Sequence, residues 1–414
     1  LWDDDEVSLG MGRHAQTWPA RELPDPDRLD WDAFRDIPVG LVTGTNGKTT
    51  TVRLARHIAQ SAGLAPGLCS TDWIAVGDRI VEEGDWSGPG GARRVLREPG
   101  VEIAILEAAR GGLLRRGLGV ERADAAVLTH VSEDHLGDFG SESVDELLEI
   151  KWVVSRAVRR DGTLILNADD ARLVARARDY PGRIDWFGLE PDNPVLARHA
   201  AAGGRAYRLA GDALERVEGG RIERLCNAAD LPIALGGAAR HNLANALAAA
   251  ALCERLGVAR EAIVEGLRSM LPADNPGRSN VYEVAGRRVL VDFAHNPAAM
   301  QALFAMARSL PAKRRLLAFA QAGDRTDAQI RELAESAWAI GLERVYVSEL
   351  EKYRRGRAPG EVYGLIRGAL TAAGATPAQV EHHPDELAAL DELRARARPG
   401  DIVIMPARAE GQAG

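Results

Sequence analysis

The sequence predicts an α/β protein with a central P-loop domain, built on a mostly parallel sheet, and a smaller Rossmann-like C-terminal domain. Short apolar runs alternate with helical patterns from residue 37 onward, which is typical of parallel β/α structure. A glycine-rich turn at residues 44–50 follows the first apolar run and precedes a helix-like segment. The alternation restarts after a stretch rich in Pro, Gly and Asn at residues 271–277, which indicates a domain boundary.

The chain of 414 residues is longer than one hydrophobic core usually serves. We therefore predict a lead-in segment at residues 1–35, a central domain at residues 36–274 and a C-terminal domain at residues 275–414. Three prolines and several acidic residues in the lead-in favour an irregular or capping segment.

Composition excludes several classes of protein. The net charge is -8 and basic residues are mixed with acidic ones, so we expect no nucleic-acid partner. No window of eighteen apolar residues is present, and we expect no membrane partner. Cys69, Cys226 and Cys253 lack the spacing of a metal site, and no signal peptide is visible. Reduced thiols and a cytoplasmic location are the resulting expectation.

Taken in chain order, the apolar runs predict a parallel sheet whose strands end in polar residues. Thr43, Glu107 and Thr129 lie at such carboxyl ends, where α/β proteins place their chemistry. The elements predicted along the chain are strands at 40–43, 102–106, 125–129 and 162–167, a helix at 146–159, irregular β structure at 195–225, a helix at 243–256, and C-terminal strands at 288–292, 316–319, 345–347 and 401–405.

The turn between the first strand and helix is a candidate phosphate-binding loop. Gly44 and Gly47 would let backbone amides approach a polyphosphate, Lys48 would reach the outer phosphates, and the Thr49 hydroxyl would hold Mg²⁺. Thr45, Asn46 and Thr50 complete the predicted nucleotide-binding set. Val42 stands where the generic motif has glycine. An ordinary turn before a helix is the alternative interpretation, which the strand–turn–helix context disfavours.

Two further polar groups follow neighbouring predicted strands. Glu107 ends one strand, and His135 lies in the segment that follows another. A carboxylate and an imidazole in these positions could share a hard cation between a nucleotide and an acyl substrate. Each also has an ordinary explanation, a solvated glutamate and a helix cap.

Together with the loop, a set of motifs resembles the Mur ligase superfamily, the ATP-dependent amino-acid ligases of peptidoglycan-precursor, folylpolyglutamate and cyanophycin synthesis. The resemblance covers nearly the whole chain and is closest to the Mur-like half of cyanophycin synthetases. The motifs that carry it are Gly-Asp-Trp-Ser-Gly-Pro at 84–89, Leu-Glu-Ala-Ala-Arg-Gly-Gly-Leu-Leu-Arg at 106–115, Pro-Gly-Arg-Ser-Asn at 276–280, Asp-Phe-Ala-His-Asn-Pro at 292–297, Gly-Asp-Arg at 323–325 and Arg-Gly-Arg at 355–357.

The resemblance implies roles for residues of the central domain. Lys48 and Thr49 would serve the phosphates and one Mg²⁺, while Glu107 and His135 would be ligands of a second Mg²⁺. Lys151 lies where many relatives carry a carbamoylated lysine, and the alternative is a surface lysine on the predicted 146–159 helix.

The resemblance also implies roles near and beyond the domain boundary. Asn242 would meet the adenine region, Arg278 would contact phosphate from between the domains, and Asp292 would hold the ribose or orient the hinge. His295 would line the cleft from the C-terminal domain, and a core histidine is the alternative. The C-terminal domain would close over the central one about a hinge near Pro276.

The activity implied is an ATP-dependent carboxylate–amine ligase that uses ATP and Mg²⁺ to join an amino acid to a carboxylate-bearing acceptor. Cyanophycin synthetases carry an ATP-grasp domain ahead of their Mur-like half, whereas this chain has only the short lead-in before the loop. An excised part, a stand-alone ligase and a subunit with a separate ATP-grasp partner all fit that difference. A phosphotransferase, a non-catalytic ATP-binding module and a homo-oligomer also stay open.

Overall fold

The computed structural model describes residues 1, 3, 5–133 and 143–406. The chain divides into two compact units, which are described separately below. The first comprises Leu1–Gly237 and His241–Met270, and the second comprises Ala238–Arg240 and Leu271–Gly414. Both have mixed α/β structure, so the predicted fold class is confirmed.

The first unit begins with an antiparallel hairpin and contains, among its described residues, a sheet of eleven strands. The hairpin pairs β1 (Glu6–Leu9) with β2 (Gln16–Pro19). The strands of the sheet are β3 (Val39–Thr43), β4 (Pro66–Cys69), β5 (Trp73–Val76), β6 (Arg79–Glu83), β7 (Ile103–Glu107), β8 (Ala123–Leu128), β9 (Val158–Asn167), β10 (Arg183–Gly188), β11 (Arg205–Ala210), β12 (Ala213–Glu218) and β13 (Arg221–Asn227).

The strand order is β13-β12-β11-β10-β9-β8-β3-β7-β4-β5-β6. Strands β4, β7, β3, β8, β9, β10 and β11 pair in parallel, whereas antiparallel strands complete both edges. The helices of this unit are α1 (Lys48–Ser61), α2 (Pro89–Arg97), α3 (Arg110–Arg116), α4 (Val144–Trp152), α5 (Ala171–Arg176), α6 (Pro194–Ala201), α7 (Arg240–Arg255) and α8 (Arg260–Ser269).

The central strands are buried on both faces. In β3, Val42 packs into one hydrophobic cluster with α1, α7 and α8, while Leu41 packs into the cluster on the opposite face with α2 and α4. Neighbouring side chains on a strand point to opposite faces, so a strand buried on both sides must be apolar at every position. This requirement explains the continuous apolar runs of the sequence.

Two local predictions were wrong. Residues 194–201 form helix α6 and not irregular β structure, because Asn193 caps the Val195 and Leu196 amides and Pro194 occupies the first turn. The helix predicted at 146–159 ends at Trp152, and strand β9 already begins at Val158.

The lead-in packs against helix α2 of the first unit. The Arg97 guanidinium donates hydrogen bonds to Asp3 Oδ2 at 2.6 Å, Glu6 Oε2 at 2.8 Å and Ser8 Oγ at 2.9 Å. These charge-assisted bonds fix the hairpin on the helix.

The second unit is a Rossmann-like sheet covered by helices. Its strand order is β14-β15-β19-β16-β17-β18, and β14 alone is antiparallel to its neighbour among the described strands. Its elements are β14 (Asn280–Val284), β15 (Arg287–Asp292), α9 (Pro297–Ser309), β16 (Arg315–Phe319), α10 (Asp327–Trp338), β17 (Arg344–Ser348), α11 (Glu361–Ala372), β18 (Val380–His383), α12 (Glu386–Arg396) and β19 (Ile402–Pro406). In the described part of the chain, no helix combines the length and apolar character that a membrane span needs.

A buried ion pair connects helix α7 to strand β10. Asp185 is 1% exposed and accepts two hydrogen bonds from Arg255, both at 2.6 Å. We expect Arg255→Ala to lower the free energy of unfolding by about 3–5 kcal/mol, because it leaves a buried carboxylate without its cation. Urea unfolding followed by circular dichroism measures the change.

The matched control is Arg172→Ala in the same unit. The Arg172–Asp145 pair is separated by 3.5 Å, with side chains 51% and 87% exposed, and surface pairs of this kind contribute about 0–1 kcal/mol. Equal losses in the two variants would contradict the predicted importance of the buried pair.

Candidate functional site

The candidate phosphate-binding loop, residues 44–50 and called the phosphate loop below, connects β3 to the start of α1. Gly44 has φ of 145° and Gly47 has φ of 85°, a region that favours glycine. A Cβ atom would lie 1.8 Å from Thr129 Oγ1 at Gly44 and 2.3 Å from Asn245 Oδ1 at Gly47. Helix α1 begins at Lys48, so its first amides lack intrahelical acceptors and suit an anion.

The three successive carbonyl oxygens of this loop each accept a hydrogen bond from a side chain. Lys151 Nζ donates to Gly44 O at 2.9 Å, Lys48 Nζ to Thr45 O at 2.9 Å, and Thr129 Oγ1 to Asn46 O at 2.6 Å. The negative ends of the peptide dipoles are thereby paired with donors. The arrangement suits a loop that must present its positive ends to a phosphate.

Lys151 lies inside the protein and not at the surface. It belongs to helix α4 and is 3% exposed. Its bond to Gly44 O brings this predicted residue to the phosphate loop, although the two are 107 positions apart in the sequence. The surface-lysine interpretation was therefore wrong.

The segment Thr129–Ser132, which continues β8, supports the loop along its length. Thr45 N donates to His130 O at 2.8 Å, and Ser132 N donates to Thr45 Oγ1 at 3.1 Å. Of these residues the strand-end pattern indicated Thr129 alone. His130 was not predicted from the sequence, and Ser132 begins the sequence segment in which His135 was predicted as a ligand.

Glu107 ends β7 and lies beside the start of α1. It is 2% exposed and accepts hydrogen bonds from Thr49 Oγ1 at 3.0 Å, Thr71 Oγ1 at 2.9 Å and Thr71 N at 3.3 Å. The structure thus brings together Thr49 and Glu107, which were predicted as ligands of two different Mg²⁺ ions. Thr71 was missed, because the loop after β4 has no recognisable motif.

The Thr49 hydroxyl and the Glu107 carboxylate fit a magnesium ion. Both are hard oxygen donors, and Mg²⁺ in nucleotide sites takes one or two protein oxygens together with phosphates and water. Within the described ranges, no three His, Cys, Asp or Glu side chains form a metal-binding group. The third predicted ligand, His135, lies outside the described residues.

Cys69 ends β4 and lies near this carboxylate. Burial and the charge of Glu107 raise the pKa of the Cys69 thiol to about 12. The thiol therefore stays protonated at neutral pH.

Asn242 is buried in helix α7, and both ends of its amide have partners within the first unit. Its Nδ2 donates to Ile233 O at 2.8 Å, and its Oδ1 accepts from Asn245 Nδ2 at 3.1 Å. Asn245, one turn further on, faces Gly47. The adenine contact expected for Asn242 stays a prediction, and the structure adds Asn245 as a neighbour of the loop.

In the second unit, three predicted residues lie around the end of β15. Asp292 Oδ2 accepts from Ser279 N at 2.7 Å and Ser279 Oγ at 3.0 Å. The Arg278 guanidinium lies 4.5 Å from the Phe293 ring centre, and the His295 ring lies 4.8 Å from the same ring. The Phe293 ring therefore packs against both Arg278 and His295. Asp292 is hydrogen-bonded to Ser279, the residue that follows Arg278.

The loop after β16 adds a residue that sequence reasoning missed. Gln321 is 3% exposed and its side-chain oxygen accepts from Arg325, but its Nε2 has no partner in the described part of the chain. Arg357 donates to Gly323 O at 3.0 Å and Arg325 O at 2.7 Å. Arg357 thus stabilises the loop from within the unit.

Comparisons with known proteins agree with these features. Residues 42–253 match the Mur ligase middle domain, and residues 277–408 match the Mur ligase, glutamate ligase domain. Cyanophycin synthetase of Trichormus variabilis is 38% identical over 373 residues, which are 89% of this chain and 41% of that protein. The chain thus spans about two fifths of this relative.

Solved structures share the fold. Escherichia coli FolC in complex with ADP aligns with a TM-score of 0.61 and 20% identity, covering 89% of this chain and 85% of FolC. A bifunctional folylpolyglutamate synthase/dihydrofolate synthase with Mn, AMPPNP and L-glutamate bound aligns with a TM-score of 0.60 and 19% identity, covering 89% and 86%. The two matched domain models, the phosphate loop and the shared fold lead to one conclusion: the chain belongs to the Mur ligase family.

Proposed function

We propose that the chain is an ATP-dependent carboxylate–amine ligase. It activates a substrate carboxylate as an acyl phosphate and joins it to an amino-acid amine, with release of ADP and phosphate. The observation that carries the proposal is the buried Glu107 carboxylate held against Thr49 at the start of the helix behind a glycine-rich loop. Family membership and the 38% identity to a cyanophycin synthetase support it and favour a cyanophycin-like reaction.

The phosphate loop would bind the ATP phosphates through backbone amides and the end of helix α1. Gly44 and Gly47 allow close approach of the backbone, and the helix dipole favours anions at this terminus. Lys48 would leave Thr45 O for the outer phosphates, because a phosphate oxygen is a stronger acceptor for an ammonium group than a carbonyl. Thr45, Asn46 and Thr50 complete this proposed nucleotide site.

Thr49 and Glu107 would hold Mg²⁺, and the ion would supply electrostatic screening between the phosphates and the attacking carboxylate. Thr71 would keep the Glu107 carboxylate oriented through its hydroxyl and amide. His135 stays a proposed additional ligand. The solved relative with Mn and AMPPNP bound supports the pairing of a nucleotide with a divalent cation in this fold.

The reaction would proceed in two displacements. A carboxylate oxygen attacks the γ-phosphorus of ATP, the bond to the β-phosphate oxygen breaks, and ADP leaves. An unprotonated amine then attacks the acyl carbon, loses its proton, and phosphate departs to leave an amide. The Lys48 ammonium would stabilise the negative charge in both steps.

The roles of the remaining predicted residues are part of the proposal. Lys151 would hold the loop through Gly44 O, and Asn242 would lie towards the adenine region. From the second unit, Arg278 would contact phosphate, Asp292 would hold the ribose or orient the hinge, and His295 would line the cleft. The division into a central domain at 36–274 and a C-terminal domain at 275–414 is retained as a proposal.

A ligase assay tests the proposed function directly. Purified protein is incubated with ATP, Mg²⁺, a panel of amino acids and carboxylate acceptors, and phosphate release and product mass are followed. We expect an amide product in the wild type and a loss of about 100-fold or more in Lys48→Ala, because a cation at the transferring phosphate is removed.

The exposed Lys313 provides the control, and Lys313→Ala should retain activity. ATP binding without acceptor-dependent phosphate release across the panel would refute the ligase assignment and favour a non-catalytic ATP-binding module or a subunit that requires a separate partner.

Close approach of the Gly47 backbone to the phosphates is expected to be essential for nucleotide binding. Gly47→Ala places a methyl group 2.3 Å from Asn245 Oδ1 in addition to adopting a left-handed φ of 85°. We expect ATP affinity to fall about tenfold or more, because the loop must shift away from its binding geometry. Isothermal titration calorimetry measures the dissociation constant.

Gly63, which follows the C-terminal end of α1, is the control. It separates the effect of the short contact at Gly47 from the effect of a left-handed backbone conformation. It has φ of 74° with nothing within 4 Å of an added Cβ, so Gly63→Ala should cost about 1 kcal/mol of stability and leave ATP affinity unchanged. A Gly63→Ala variant that weakened ATP as much as Gly47→Ala would contradict the explanation.

The proposed metal site predicts a change in magnesium dependence. Glu107→Gln keeps the size of the side chain and removes its charge, so the concentration of Mg²⁺ that gives half-maximal activity should rise about tenfold or more. Amide formation is measured over a Mg²⁺ series. The exposed Glu121 gives the control Glu121→Gln, and identical Mg²⁺ curves for both variants would argue against Glu107 as a ligand.

A further inference from the structure

We propose that Asn167 and Asp170 are positioning residues for the phosphate loop and act through the segment Thr129–Ser132. This inference rests on the proposed nucleotide-binding role of the loop. Neither residue was predicted as a site residue from the sequence. Asn167 is the last residue of β9 and Asp170 lies three positions further on, and both contact the segment that follows β8.

The segment needs support because strand pairing stops where it begins. The parallel ladder between β8 and β9 ends at the pair Leu128–Leu166. The ladder between β3 and β8 ends at the pair Thr43–Leu128. Beyond these pairs, Thr129 N still donates to Thr43 O at 3.0 Å and His130 O accepts from Thr45 N at 2.8 Å. Thr129 O and Val131 N are instead paired with side chains, since polar backbone groups in such positions require partners.

Asn167 provides the first of these side chains. Its Nδ2 donates to Thr129 O at 2.9 Å, and its Oδ1 accepts from Asp169 N at 2.9 Å. One amide therefore connects the end of β9 to the beginning of the segment.

Asp170 provides the second and uses both carboxylate oxygens. Oδ2 accepts from Val131 N at 2.7 Å, while Oδ1 accepts from Arg172 N at 2.9 Å and Leu173 N at 3.3 Å at the start of α5. The carboxylate thus joins the segment to the N-terminus of a helix. Hydrogen bonds to a charged acceptor are stronger than those between neutral groups.

The other side of the segment contacts the phosphate loop. His130 O accepts from Thr45 N at 2.8 Å, Thr129 Oγ1 donates to Asn46 O at 2.6 Å, and Ser132 O accepts from Thr45 Oγ1 at 3.2 Å. The loop is therefore held by a segment that is itself held by Asn167 and Asp170. A phosphate site of backbone amides depends on such preorganisation, because a mobile loop must be ordered on binding.

The adjacent Asp169 is a natural control. It accepts hydrogen bonds from Leu189 N at 2.6 Å and Asn193 Nδ2 at 2.8 Å, on the side of β10. Asp169 and Asp170 are thus neighbouring residues with the same carboxylate group. Asp170 is the one of the two that accepts a hydrogen bond from the segment Thr129–Ser132. The structure shows no bond from the Asp169 side chain to Thr129–Ser132 among the described contacts.

The test compares Asp170→Asn with Asp169→Asn in the full chain by isothermal titration calorimetry with ATP and Mg²⁺. Asparagine has one side-chain oxygen and is a good helix cap, so Asp170→Asn can retain the α5 cap while it loses the bond to Val131 N. We expect the ATP dissociation constant to rise about tenfold for Asp170→Asn, as for the loss of a charge-assisted bond, and less than about twofold for Asp169→Asn.

Thermal unfolding of both variants separates positioning from a general loss of stability. A rise in the dissociation constant for Asp170→Asn, at a temperature where both variants are folded, supports the inference. Equal dissociation constants for the two variants overturn it, whatever their melting temperatures. Asn167→Ala is the second variant, and it should weaken ATP in the same direction because it removes the bond to Thr129 O.

Failure of the inference is distinguishable from failure of the proposed function. A wild-type protein that binds ATP but forms no amide refutes the ligase assignment. The ATP dissociation constants of Asp170→Asn and Asp169→Asn then still decide whether Asp170 positions the loop. A wild-type protein that binds no ATP overturns both. A ligase in which Asp170→Asn binds ATP normally overturns the positioning role alone.

Discussion

The parallel pairing of β7, β3, β8 and β9 is the constraint on which the candidate site depends. Because these strands run in the same direction, their carboxyl ends meet at one edge of the sheet. Glu107, the phosphate loop, Thr129 and Asn167 are consequently neighbours although they lie far apart in sequence. The apolar side chains on the two faces of these strands pack into the two hydrophobic clusters of the unit. The geometry of the candidate site and the packing of the core are thus set by the same ladders.

At the candidate site, a buried carboxylate is stabilised by hydrogen bonds from uncharged donors. Glu107 is almost wholly buried and is surrounded by the hydroxyls of Thr49 and Thr71. An unpaired carboxylate in such a position would be costly. The two hydroxyl groups stabilise the carboxylate by hydrogen bonding. They carry no positive charge, so these contacts do not neutralise the negative charge of Glu107. A divalent ion is therefore a favourable additional partner for this carboxylate.

The sequence predicted those parts of the structure that depend on local patterns. Parallel α/β architecture followed from apolar runs, and the loop followed from Gly44, Gly47 and the Lys-Thr pair. Helix α6 was missed, since its start depends on an Asn193 cap within a stretch that otherwise looked irregular. Thr71, Asn245 and Asp170 were missed for a different reason. Their roles arise from contacts between segments distant in the chain, and no periodicity or spacing records such contacts.

The hydrogen bonds of the loop carbonyls explain how one site can serve both a resting and a loaded state. Lys151 and Thr129 contact Gly44 O and Asn46 O from outside the loop, so they can stay in place when a nucleotide binds. Lys48 belongs to the loop itself and contacts Thr45 O, only three residues away. Its long side chain can exchange that carbonyl for a phosphate oxygen by rotation about its own bonds, without displacing the backbone. In the proposed nucleotide site, the two donors outside the loop would preserve its shape, and the Lys48 ammonium would follow the charge of the ligand. These two roles require a rigid backbone beneath the loop, and the hydrogen bonds at the ends of β8 and β9 are the proposed source of that rigidity.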